Sequence, residues 1–159
     1  MAPQDQAVST ATRTIPVYQA LAEDIKAMGV DCVFGLMSDD TAHFGVTLDA
    51  IGIKFIGARH ENIAVVMADG YAAATGRLTV VCIGRGPALA NGLHGVTFAS
   101  RTGNPLLVIY GEAPQVPAGT NTGGPDYKGL DQAGVLKAAG IKSFTPTTAG
   151  SARQMLADA

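Results

Sequence analysis

The chain has no tryptophan, two cysteines and few charges, with 15% of its 159 residues being Asp, Glu, Lys or Arg. Each scarcity excludes something. Cys32 and Cys82 each lie inside an apolar run, so they read as buried inert thiols rather than a disulfide framework. A formal net charge of −2 offers no basic face for nucleic acid or an anionic membrane. No apolar stretch approaches the roughly 20 residues of a membrane helix. Residues 1–14 are polar and small and lack the apolar centre of a signal peptide, so they read as a flexible lead-in and the setting as cytoplasmic. The three histidines, His43, His60 and His94, share no metal-ligand spacing, and no metal site is expected in this chain. Repeats and low-complexity tracts are absent. A charge fraction this low, beside 47% hydrophobic residues, describes a domain that buries much of its surface against other protein.

What is present is an alternation of apolar runs and helical periodicities. Val17, Leu21, Ala22, Ile25 and Met28 recur at helical spacing between Pro16 and Gly29. The run Cys32-Val33-Phe34 closed by Gly35 predicts a buried strand. A helix over 41–50, a strand over 53–56 and a helix from Glu61 follow. The pattern then repeats, with a strand over 79–83, a helix over 88–100 and a strand over 106–110. The stretch 111–128, rich in Gly, Pro and Thr, predicts a long loop, of the kind that is usually functional or mobile. A helix over 130–139, a short strand over 141–144 and a helix from Ser151 complete the reading. Strands without polar alternation, separated by helices, predict an α/β fold. The expectation is a three-layer α/β/α arrangement around a mostly parallel, doubly wound sheet. Ligands of such sheets bind beyond the carboxyl ends of the strands. The turns at Gly35, Arg59-His60-Glu61, Gly84-Arg85-Gly86-Pro87 and Gly111 should therefore gather along one edge.

The most informative stretch is Arg59-His60-Glu61, followed by a helix of small and apolar residues that includes Ala64, Val65 and Ala68. A carboxyl group at the lip of an apolar pocket can hold a proton near neutral pH. Spacing alone also fits a plainer role, in which a Glu in a first helical turn complements the helix dipole.

Taken together, these turns resemble the N-terminal, pyrimidine-binding domain of thiamine-diphosphate-dependent enzymes, in the acetolactate synthase and 2-oxo acid decarboxylase group. The resemblance is carried by Gly29-Val30-Asp31-Cys32-Val33-Phe34-Gly35 and by Arg59-His60-Glu61 with Ala68-Asp69-Gly70-Tyr71-Ala72 and Thr75-Gly76. Gly86-Pro87 with Asn91-Gly92 and the run 104–111 carry the rest. It implies the thiamine-diphosphate-binding fold over 15–159, with the C-terminal end of the domain truncated. It implies that Glu61 hydrogen-bonds a ring nitrogen of the aminopyrimidine and favours its imino tautomer. That tautomer removes the thiazolium C2 proton, and the ylide attacks a 2-oxo acid carbonyl. Gly86, Pro87 and Asn91 become cofactor-binding candidates. For Pro87, first-turn pre-organisation accounts for the residue equally well.

Other candidates carry two readings each. Met37 and Ser38 stand in the loop after Gly35, which borders substrate or cofactor in the family, but the family's Pro-Gly is replaced by Leu36-Met37-Ser38-Asp39-Asp40. Lys128 replaces a substrate-facing glutamine or is a solvated loop lysine. His60 acts on substrate or only orients its neighbours. His43, His94, Asp69, Met67 and Tyr71 read as packing, interface or solvated residues. Gly84-Arg85-Gly86 lacks the third glycine of a dinucleotide fingerprint, since Leu89 stands in its place.

The resemblance further implies magnesium, bound with the diphosphate by a second domain through a Gly-Asp-Gly motif that this chain lacks. The expected partners are therefore a diphosphate-binding domain or subunit, further copies in a dimer or tetramer, and a small 2-oxo acid. The chain is expected to be a fragment or a free subunit of a lyase or transferase, inactive alone. A non-catalytic dimerisation module with a vestigial pocket is the alternative.

Overall fold

A computed structural model of the chain describes residues 14–113 and 126–159. The lead-in expected over 1–14, apart from Thr14, and most of the loop expected over 111–128 lie outside them.

Among the described residues, four parallel strands form one sheet: β1 (Cys32–Gly35), β2 (Lys54–Gly57), β3 (Thr79–Ile83) and β4 (Leu106–Tyr110), in the order β2-β1-β3-β4. The order changes direction between β1 and β3, the kind of position at which doubly wound sheets open a crevice. The register sets Phe34 beside Ile56 and Val81, and Val81 beside Val108. Side chains alternate between two cores, as the period of two requires. Val33, Val80 and Cys82 face one layer with Ala22, Ile25, Phe44, Leu48 and Ile53. Cys32, Phe34, Val81 and Ile83 face the other with Ala64, Val65, Ala68 and Val96. The first layer is built from α1 (Val17–Ala27) and α2 (Ala42–Ala50), the second from α3 (Glu61–Thr75) and α4 (Pro87–Thr102). Among the described residues two further helices follow, α5 (Gln132–Ala138) and α6 (Ala149–Asp158).

Local signals explain the boundaries. Pro87 occupies the first turn of α4, where its missing N–H is harmless. Gly76 and Gly103 end α3 and α4 in the left-handed region. Thr148 and Ser151 form a reciprocal capping box at the start of α6. Gly35 is needed for proximity, since a Cβ there would lie 2.2 Å from the Cys82 carbonyl oxygen.

One element differs from expectation. Residues 141–144 form no strand. The Ile141 N–H bonds back to the Leu136 carbonyl (2.9 Å), and Ile141 packs into the α3–α4 core. A groove of about 500 Å³ lies between this segment and the outer edge of β4, so the ladder bonds cannot form.

Candidate functional site

The turns after all four strands meet at the carboxyl edge of the sheet. The Ala58 N–H bonds the Gly35 carbonyl (2.8 Å), and the Gly111 N–H bonds the Ile83 carbonyl (3.0 Å). Two separate groups of side chains stand on that edge.

The first centres on Glu61, the first residue of α3. His60 caps the helix, its Nδ1 accepting from the Asn62 N–H (3.2 Å). Glu61 is only 9% exposed. Its neighbours are Val65 and Ile83, around the missing side chain of Gly92. A Cβ on Gly92 would meet Glu61 Cβ at 3.6 Å and Ile83 Cδ1 at 3.0 Å. Gly92 and Gly95 thus let α4 lie close against α3, and that approach brings Asn91 to the carboxylate. Asn91 Nδ2 donates to Glu61 Oε2 at 3.0 Å. Among the described residues no donor reaches Oε1. The residue is nearly buried, yet Oε1 is not among the atoms sealed from solvent without a partner, so it stays open to a ligand at the rim. The group it can complete is a polar nitrogen presented at the rim of an apolar pocket.

The second group is ionic and sits where the sheet order reverses. Asp40 accepts from Arg85 Nε (3.2 Å) and from Lys128 Nζ (3.1 Å), while Arg85 Nη1 also donates to Asp126 (2.8 Å). Lys128 is paired with Asp39 as well. Ser38 Oγ donates to Asp40 (3.2 Å), and a Cβ on Gly84 would lie 2.7 Å from it. The Asp40–Arg85 bonds bridge the turns that follow β1 and β3. Burial alone pushes the Asp40 carboxyl up. Lys128 and the Arg85 backbone and guanidinium outweigh that effect and hold it below the usual carboxylate range. Asp39 and Asp40 in turn raise Lys128, and Asp126 and Asp40 raise Arg85.

The sequence-derived candidates therefore separate. Glu61 and Asn91 touch, and His60 caps the helix beside them. Ser38 and Lys128 belong to the ionic group, and Met37 lies over α2, its Cε 2.8 Å from where a Gly45 Cβ would be. Gly86 has φ +61, and the space a side chain would need is taken by the Lys128 backbone, whose carbonyl oxygen is 2.0 Å from an ideal Cβ. Asp69 ties α3 to the end of α4, accepting from Thr102 Oγ1 (3.2 Å) and Asn104 Nδ2 (2.9 Å). The Tyr71 hydroxyl reaches Asp31 (3.4 Å), His94 reaches Asn62 (3.4 Å), and His43 stacks on Tyr18. Asp40, Arg85 and Gln132 are edge residues that the sequence reading did not select. Opposite charges in turns assigned to one edge were the available signal. The groove along β4 is lined by neither Glu61 nor Asn91. No group of residues suited to a metal ion occurs among the described residues, and no described helix is long and apolar enough to cross a membrane.

Residues 15–144 match the family described as thiamine pyrophosphate enzyme, N-terminal TPP binding domain. The chain is 30% identical over 119 residues to 2-hydroxyacyl-CoA lyase 2 of Danio rerio, covering 75% of this chain and 18% of that protein. It is 32% identical over 123 residues to a 2-hydroxyacyl-CoA lyase of Saccharomyces cerevisiae, covering 77% of this chain and 21% of that protein. The chain thus spans about a fifth of the length of these relatives. A solved thiamine diphosphate-dependent 4-hydroxybenzoylformate decarboxylase of Rhodococcus jostii superposes with a TM-score of 0.58 at 26% identity, covering 62% of this chain and 18% of that one. With a parallel α/β fold, a sheltered carboxylate at its ligand edge and a family match over most of its length, the chain belongs to the N-terminal thiamine pyrophosphate-binding domains of thiamine pyrophosphate enzymes.

Proposed function

We propose that residues 15–159 form the pyrimidine-binding half of a thiamine-diphosphate-dependent enzyme acting on 2-oxo acids, with Glu61 as the group that meets the aminopyrimidine ring. The observation that carries this reading is the Glu61 carboxyl group itself. It is nearly buried, held at Oε2 by Asn91, and has no other donor among the described residues. That donor set fits a ring nitrogen, which a carboxyl can serve as either acceptor or donor. When bound, thiamine diphosphate supplies the carbon nucleophile and electron sink for C–C bond cleavage or formation.

This chain's residues bind and orient. Glu61 would hold the ring nitrogen by a hydrogen bond through its free oxygen. Asn91 fixes the carboxyl plane. Val65, Ile83 and the bare Gly92 keep water from the inner side. Gly86 and Pro87 set the backbone at the start of α4. Met37, Ser38, His60 and Lys128 remain candidates for the substrate side, Ser38 and Lys128 through the ionic group they share. Magnesium and the diphosphate are assigned to another domain or subunit on the family resemblance.

The partner surface is the outer stripe of α3 and α4. Ile63 and Val66 are each 49% exposed and Phe98 is 60% exposed. An apolar face of this kind marks an interface. The same stripe also suits a module that only associates. Glu61→Gln in the assembled enzyme separates the two readings. Exchange of the cofactor's thiazolium C2 proton with solvent should slow by roughly a hundredfold or more, the scale of a lost proton-transfer group. An unchanged exchange rate would favour the association module.

A further inference from the structure

Gln132 is buried on the first turn of α5, and both ends of its amide are used. Oε1 accepts from the Gly86 N–H at 2.9 Å. Nε2 donates to the Gly111 carbonyl at 3.0 Å and to the Glu112 carboxylate at 2.9 Å. One side chain therefore ties the end of β3 to the end of β4. Gly86 is the residue from which α4 departs, and its other side is closed by the Lys128 backbone. Asn91, just over one turn into that helix, donates to Glu61 at 3.0 Å.

We propose that Gln132 is a positioning residue for Glu61. It fixes the origin of α4, and so the reach of Asn91, and so the direction of the free Glu61 oxygen. This rests on the reading of Glu61 as the group that meets the aminopyrimidine ring. Transmission needs little motion. α4 packs on α3 through Gly92 and Gly95, where a Cβ on Gly95 would stand 3.1 Å from Val65, so the helix has no slack in which to absorb a shift at its start. A displacement of about half an ångström takes an Asn91–Glu61 bond of ordinary length out of hydrogen-bond range.

The residue type follows from the site. Only a primary amide offers an acceptor for the Gly86 N–H together with donors for the Gly111 carbonyl and the Glu112 carboxylate. Glutamate would set a second carboxylate against Glu112. Methionine, of similar length, would leave the Gly86 N–H and the Gly111 carbonyl without this partner.

The test is a double-mutant cycle in the assembled enzyme, using Gln132→Met, Asn91→Ala and the pair. Two quantities are read: the dissociation constant for thiamine diphosphate, and the Asn91 side-chain amide signal by NMR without cofactor. Gln132→Met should shift the Asn91 signal and weaken cofactor binding by roughly tenfold, the order of one unmade buried hydrogen bond. The pair should bind no worse than Asn91→Ala alone. Effects that multiply, or an unmoved Asn91 signal, overturn the proposal. Should Gln132→Met not fold, Gln132→Glu is measured with and without Glu112→Gln. The single variant should lose affinity and the second change restore it, while failure to restore overturns the proposal. Glu61→Gln serves as the control. If it alters neither affinity nor C2 exchange, the reading of Glu61 falls and the proposal with it. If it is damaging while the Gln132 effects are independent, only the proposal falls.

Discussion

Glu61 and Asp40 are both carboxylates at the same edge of the sheet, and their surroundings give them different work. Glu61 has one neutral donor and apolar walls, whereas Asp40 has two cations and a backbone N–H. Asp40 is the ion-paired member of the two. Its folded carboxyl titrates below an unfolded aspartate, which loses its proton near ~3.9. Between those values the unfolded chain binds more protons. The stability Asp40 contributes is therefore fully present above the unfolded value and is lost as pH falls through the folded one. Asp40→Asn should lower stability at neutral pH and flatten the acid limb of the stability curve, read by urea unfolding at a series of pH values. A uniform offset with the acid limb intact would contradict this. The cysteines make a second case at this scale. Cys82 has no exposed surface, and burial pushes its thiol up to about 12. Thiol reagents should reach Cys82 only at the rate of unfolding, and fast labelling of the native chain would contradict its placement. Glu61 stands out in the sequence as a candidate because its neighbours in the chain carry the signature. Gln132 and Asp40 do not, because their partners lie 46 and 45 residues away, in turns whose meeting only the fold arranges.

At the scale of elements, the site depends on how closely α3 and α4 approach. A Cβ on Gly95 would lie 2.8 Å from Asn62 Oδ1 and 3.1 Å from two Val65 carbons. Gly95→Ala removes a helix-weakening glycine, but overpacking at this contact costs about 1–3 kcal/mol and exceeds the propensity gain of about 1 kcal/mol. The net expectation is a small loss of stability accompanied by weaker cofactor binding, since the helices part beside Glu61. Equilibrium unfolding and a cofactor titration on the same variant check both. A more stable variant with unaltered binding would show that the contact is slack. The helices and the four paired strands were readable from periodicity and from Pro and Gly punctuation. The strand expected over 141–144 was not a safe reading. Ile141 and Phe144 satisfy an apolar pattern, yet Ile141 is drawn into the α3–α4 core and Lys142 lies over the Phe144 ring at 4.6 Å. Local pattern cannot show whether a neighbouring strand is within reach.

At the scale of the whole molecule, low charge and an exposed apolar stripe point the same way. Ile63, Val66 and Phe98 lie on the outer side of the two helices that hold the Glu61–Asn91 pair. Val66→Glu should leave the fold intact, because that side chain is half-exposed, and should weaken assembly. Light scattering, with circular dichroism as the control for folding, reads the two effects separately, and unchanged assembly would remove the stripe as an interface. On the proposed reading the chain alone should turn over no 2-oxo acid, and product formation by the isolated chain in a decarboxylation assay would contradict that reading. Composition pointed to burial against other protein, but neither the exposed apolar side chains of α3 and α4 nor the position of the free carboxyl oxygen could be read before the helices were packed. The most direct measurement is a crystal structure of the assembled enzyme with thiamine diphosphate bound. The account predicts an aminopyrimidine nitrogen within hydrogen-bond distance, about 3 Å, of Glu61 Oε1, with Asn91 still on Oε2. A ring seated elsewhere, with Glu61 turned to solvent, would contradict it.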